Sequence, residues 1–219
     1  MNDKSIVRFI KIENSQFKGV GSYFEEDSGE FKGNAIGMVS NVMRGASSFD
    51  NVMIANSTLN GTGVKYAGGV VGAAYNSGSE VFKVIIVNVN ITGSGQEHSV
   101  GGVAGKMRSV RIKEVYIGNT IVKGAGQEGY VGGVAGYSSG SSIQNVTVID
   151  SNISGRYAGG IVGCSWSDKV STCHVIRTEV NGRFVGGVIG YGEGSEMKNA
   201  TVASSTIIAH TEVLLLGAE

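Results

Sequence analysis

The chain has 219 residues, 36 of them glycine and none proline, with 18 basic and 18 acidic side chains. Glycine at about 16% is more than twice average usage, and about eleven prolines would be expected. That much glycine argues against a helical protein, because each glycine in a helix costs roughly 1 kcal/mol against alanine. Collagen is excluded by the missing proline and by the lack of glycine at every third position. At 41% hydrophobic and 16% charged, the chain is too aliphatic and too lightly charged for disorder.

A neutral balance argues against nucleic acid as a partner, since phosphate binding wants a basic surface. No run of 18 apolar residues is present, so membrane insertion by a helix is not expected. Two cysteines, Cys164 and Cys173, are too few for a disulfide framework or a structural zinc site.

In chain order, two motifs alternate. The chain opens on a copy of the pattern Φ-x-x-Φ-x-Φ-x-x-[ST]-x-Φ-x-G, running from Val7 to Gly19. A loop at 20–32 follows, then GNAIG at 33–37. This is a weak copy of the second motif, Gly-Gly-aliphatic-small-Gly. Strong copies lie at 68–72, 101–105, 132–136, 159–163 and 186–190, and VLLLG at 213–217 is another weak one. Between them the longer pattern recurs, ending at Gly61, Gly93, Gly124, Gly155, Gly182 and Ala209. The glycine motif starts at 33, 68, 101, 132, 159, 186 and 213, in steps of 35, 33, 31, 27, 27 and 27. In the later copies the connecting loop shrinks to 156–158 and 183–185.

A period of 27–35 residues built from short β-type stretches means stacked coils. Aligning the copies gives four aliphatic columns. For the coil around residue 150 they are Ile143, Val146, Val148 and Ile153. Inward residues of a strand recur every second position. The steps of three between the first and second columns, and between Val148 and Ser151, therefore mark corners. Just before the Ser/Thr column stand Asn14, Asn56, Asn88, Asn119 and Asp150. Asn and Asp tolerate left-handed backbone and bond their own turn, so an Asn ladder is expected at that corner. The last glycine of the short motif recurs in every copy, which requires either positive φ or close backbone approach.

The expected fold is all-β: one domain over 1–219, a right-handed parallel β-helix of six to seven coils. It has longer loops in the N-terminal half and regular 27-residue coils from about 132. Three strands per coil are expected, with handedness following the right-handed crossover preference. Neither end carries a polar cap, so a piece of a longer polypeptide is expected.

Residues that escape the repeat rules are the functional candidates. Phe31, Tyr66, Tyr130, Tyr157 and Phe184 each precede a glycine motif by two residues, with Ser99 interrupting, and Arg156 and Arg183 precede two of them. Exposed, these rings and guanidiniums would form a ligand platform; packed inward, they would close one end of the core. Gln96–Glu97 and Gln127–Glu128 sit in the duplicated stretches GSGQEH and GAGQEG, on what read as equivalent loops of neighbouring coils. They would bind a sugar or a hard cation, or simply be solvated. GAGQEG also has dinucleotide-loop glycine spacing, but no helical pattern follows it, so its glycines are read as structural. His98, His174 and His210 fall in different columns and offer no metal site, so they are read as solvated or partly packed. No cofactor is expected. Cys173 sits in an aliphatic column as a small hydrophobe. Cys164 occupies a position held elsewhere by Tyr137, Tyr191, Lys106 or Ala73, and a bond between the two thiols is left open.

The alternation of GGVVG, GGVAG and GGIVG with IQNVTVIDSNISG and IKEVYIGNTIVKG resembles the GLUG repeat of bacterial surface and secreted proteins, including regions of immunoglobulin A1 metalloproteases. The resemblance runs from Val7 to Gly217, with Val or Ile where Leu is typical. No H-E-x-x-H is present, so no protease activity is implied. The resemblance implies a non-catalytic adhesion or recognition module, secreted or at the bacterial surface, with a host glycan or protein as partner. A β-helix carbohydrate-active enzyme (polysaccharide lyase or glycoside hydrolase) and a spacer or targeting domain of a secreted toxin or effector are the alternatives.

Overall fold

The computed structural model describes residues 5–20, 34–95, 97–126 and 128–210. Phe31, Gln96, Gln127 and the 213–217 copy lie outside them, as do the side chains of Glu97 and Glu128. Among the described residues there is no helix, and every strand pair is parallel. The chain winds through three sheets in turn. One coil runs Glu128–Gly132, Ala135–Ser139, Ser142–Ile149 and Asn152–Ser154, then re-enters the first sheet at Tyr157–Gly159. The glycine-motif strands form a six-stranded sheet and the Ser/Thr-motif ends a seven-stranded one. The two middle segments share the third, eleven-stranded sheet. Each coil thus has four strand segments rather than three. They fuse into single long strands at Val71–Val87 and Ala104–Gly118.

The four aliphatic columns are the core. Ile143, Val146, Val148 and Ile153 are completely buried, and each pairs in register with its equivalent one coil on: Val170, Cys173, Val175 and Val180. Burying each such side chain stabilises the fold by about 1.5–3 kcal/mol. The outermost members, Val7 and Met197, are 44% and 54% exposed, because no described coil covers them.

Both three-residue steps are corners of left-handed backbone. At the first, Asn14, Asn56, Asn88, Asn119, Asp150, Arg177 and Ser204 all have φ between 45° and 57°. Asn88 donates to Asn56 (3.1 Å) and Asn119 to Asn88 (2.7 Å). The ladder then changes chemistry: Arg177 grips Asp150 with two bonds of 2.7 and 2.9 Å. At the second corner, Phe9, Asn51, Lys83, Glu114, Asn145, Thr172 and Asn199 repeat φ of 52–58°.

The Ser/Thr column has a clear task. The corner residue's own amide bonds the next coil's carbonyl, as Asn119 does with Ile149, but the amide that follows it is bridged by a hydroxyl. Thr120 N–H donates to Ser151 Oγ, Ser151 N–H to Thr178 Oγ1 and Thr178 N–H to Ser205 Oγ, at 3.1–3.4 Å. Each hydroxyl in turn donates to the carbonyl two residues before it. A third corner, not marked by the aliphatic spacing, has left-handed Ser109, Gly140, Ser167 and Gly194. There Ser141, Asp168 and Ser195 cap amides in the same way.

Of the two demands read for the repeated glycine, close approach is the operative one. A Cβ on Gly136 would lie 2.5 Å from the Val100 backbone nitrogen and 2.8 Å from the Gly105 oxygen. These glycines pinch two sheets together, backbone to backbone. The aliphatic core lies on one side of the pinch and a second compartment of tyrosines and cations on the other.

Candidate functional site: a tyrosine and cation cleft

The second compartment is walled by two rows of side chains that run along the solenoid. The glycine sheet brings Tyr66, Ser99, Tyr130, Tyr157 and Phe184 into register. The facing strands align Ala73, Lys106, Tyr137, Cys164 and Tyr191. Alternation puts residues two apart on one face, so Tyr75, Arg108, Ser139, Trp166 and Glu193 form a further row behind.

The predicted ladder of Tyr130, Tyr157 and Phe184 is therefore assembled by the fold. Tyr157 and Phe184 stack at 4.7 Å and 10°, and Tyr130 tilts against Tyr157 at 5.1 Å. Arg156 and Arg183 each lay a guanidinium 5.6 Å from the ring centroid that follows them. The sequence reading missed the opposite wall. Tyr137 lies 5.9 Å from Tyr130, and Tyr191 lies 6.2 Å from Tyr157 and 6.0 Å from Trp166. The available signal was the position after the last glycine of the short motif, which holds Lys106, Tyr137 and Tyr191.

Burial is graded along the cleft. Tyr66 is 4% exposed and packs with Ala73 and Tyr75 in a small core of its own, whereas Phe184 and Tyr191 are each 42% exposed, because no described coil covers them. The rings are thus packed inward at the Tyr66 end and exposed at the Phe184 end. Stacking also consumes ring faces along the row, so what reaches solvent is ring edges, phenol hydroxyls and guanidiniums. Burial pushes the Tyr137 hydroxyl pKa up, and that of Tyr75 further.

Lys106 fills the space that Ser99 leaves. Its Nζ donates to Tyr66 Oη at 3.3 Å and sits 5.0 and 5.4 Å from the Tyr66 and Tyr137 ring centroids. Burial, then Lys65 and Arg108, hold its pKa below the usual lysine range.

Glu97 and Glu128 are brought together only in backbone terms. They pair in register at the starts of two neighbouring strands of the glycine sheet, not in loops. Between them the histidine reading needs correcting: His98 is neither solvated nor partly packed but fully buried. Cβ atoms on Gly124, Gly126 and Gly129 would fall 2.3–2.9 Å from its imidazole. The three glycines of GAGQEG form a slot for that ring. Burial lowers the His98 pKa, and Nδ1 bonds the Gly95 carbonyl at 3.1 Å.

Asp168 is buried at the third corner. Ser141 N–H and Ser165 Oγ each donate to its carboxylate at 2.7 Å, yet burial still raises its pKa. Among the described residues no three metal-ligating side chains cluster. Both cysteines are buried free thiols pushed up to about 11 by burial, and Cys164 accepts from Trp166 Nε1 at 3.1 Å.

These features define a parallel β-solenoid repeat protein with a tyrosine-lined, cationic cleft. No family model and no curated protein matches the chain. Among solved structures it is similar to QnrB1, a plasmid-mediated fluoroquinolone resistance protein, at 8% identity and a TM-score of 0.22 over 92% of this chain and 73% of that one. It is likewise similar to HetL, a pentapeptide repeat protein involved in heterocyst differentiation regulation from the cyanobacterium Nostoc sp., at 6% identity and a TM-score of 0.19 over 94% and 88%. Likeness this slight carries nothing about function; the solenoid is read from the strand register.

Proposed function

We propose that this solenoid is a non-catalytic recognition module, of the kind found in bacterial surface and secreted adhesins, and that the tyrosine and cation cleft is its binding face. The observation that carries this reading is the assembly of stacked rings with guanidiniums over them along two facing rows. The rows are buried at Tyr66, half-buried at Tyr130 and Tyr157, and end at Phe184 and Tyr191, which no described coil covers. Ring edges, phenol hydroxyls and guanidiniums suit a ligand rich in hydroxyls and acidic groups. A glycan on a host surface is such a ligand. The repeat's resemblance to GLUG modules supports the same placement, outside the cell and as part of a larger polypeptide, with the stacked core acting as a stiff mount.

The test is a glycan array with sugar release followed in the same wells. Binding that is lost in Tyr157→Ala or Arg156→Ala supports the module. Release of reducing sugar would place the protein among β-helix carbohydrate-active enzymes instead. Absence of both would favour a spacer.

A further inference from the structure

We infer that the Lys106 end of the cleft is a binding site for the acidic groups of an anionic polysaccharide, with Lys106 and Arg108 as the charged contacts. The inference rests on the recognition reading and names the ligand class.

The geometry begins with convergence of like charge. Lys106 and Arg108 lie two residues apart on one strand, so they project on one side of it. Lys65 belongs to the glycine sheet's edge of the cleft, with Nζ 6.0 Å from the Tyr66 ring centroid. Several described charges pair across coils: Arg8 with Asp50, Arg111 with Glu80, Arg177 with Asp150. Among the described residues, no carboxylate lies within ion-pair distance of Lys106 or Arg108. The Lys106 ammonium is half-buried, held by one phenol oxygen and two ring faces. An ammonium has three donors, and only one is used by Tyr66. Burial first, and then the like charges of Lys65 and Arg108, depress its pKa; an anion in the cleft would relieve the repulsion.

The ligand is a polysaccharide and not a peptide strand because of the backbone. The glycine-sheet strands run across the cleft, and their amides and carbonyls are consumed by neighbouring coils. A peptide lying along the cleft finds no open edge to extend. A sugar polymer needs none: its hydroxyls meet the phenols of the walls and its acids meet Lys106 and Arg108, then the guanidiniums over Tyr157 and Phe184. Carboxylate and sulfate share the required chemistry.

The test is calorimetric titration of the whole chain with polygalacturonate, dextran sulfate, uncharged dextran and polyglutamate. It is repeated on Lys106→Met, Arg108→Met and Tyr157→Ala. Methionine keeps the Lys106 stem packed on the tyrosines, and an unchanged thermal midpoint confirms folding. The expected result is salt-sensitive binding of polygalacturonate or dextran sulfate, weakened at least tenfold in Lys106→Met. Which polymer binds more tightly identifies carboxylate or sulfate. Polyanion binding that is undiminished in both methionine variants overturns the inference, and so does tighter binding of polyglutamate. Dextran binding that is lost only in Tyr157→Ala also overturns it while leaving the recognition reading standing. No binding of any polymer removes both.

Discussion

The two compartments on either side of the glycine pinch are built by the same stacking and differ in how strictly each coil repeats the last. In the aliphatic core, a position stays apolar from coil to coil, because each side chain must fill the space between two equivalents. In the cleft, one row passes through Ala73, Lys106, Tyr137, Cys164 and Tyr191. Close packing constrains the first and not the second. The fold is therefore held by one side, and the other is free to carry recognition.

Breaking the pinch should have the largest effect. Gly136→Val drives a branched side chain into the Val100 and Gly105 backbones. We expect a loss of more than about 4 kcal/mol, in the range of severe core disruption, read as loss of the folded baseline in urea or by circular dichroism. Within the core, Ile117→Ala should cost about 2–5 kcal/mol, measured as a shifted urea midpoint.

His98 sharpens the comparison on the polar side. Its pKa is lowered in the fold, so the unfolded chain takes up the proton first as pH falls below 6.5. Stability from the neutral ring is present above that pH and is lost as pH drops toward the folded value. Thermal midpoints measured from pH 7.5 to 5 should fall in the wild type, and this slope should flatten in His98→Gln. Smallest is an effect at the second corner. Thr172 is β-branched with φ of 53°, a costly combination. Thr172→Asn should stabilise by about 0.5–1 kcal/mol, detectable as a raised midpoint.

The sequence shows most clearly whatever the stacking forces to repeat. The four columns, the Asn corner and the glycine contact were legible because a wrong residue there has no room or no partner. The Ser/Thr column was legible as a pattern but not as a task, since its hydroxyl bridges coils 27–31 residues apart. The second corner's left-handed backbone had little compositional mark, because Phe9, Lys83, Glu114 and Thr172 adopt it under the compulsion of the paired strands. Half of the cleft was visible as the Tyr130, Tyr157 and Phe184 ladder. The facing row of Lys106, Tyr137 and Tyr191 was not connected to it, because adjacency across the cleft depends on how the glycine turn closes. GAGQEG shows the limit of motif spacing: its three glycines surround an imidazole from the preceding coil.

The division of labour is tested most directly by measuring urea stability and polygalacturonate binding on the same samples of Ile153→Val and Tyr157→Ala. The account predicts that Ile153→Val loses about 0.5–1.5 kcal/mol of stability with binding intact. Tyr157→Ala should lose binding while staying within about 1 kcal/mol of the wild type, as a partly exposed side chain would. Loss of both properties together in both variants would contradict it, because core and cleft would then be one cooperative unit with no face free for recognition.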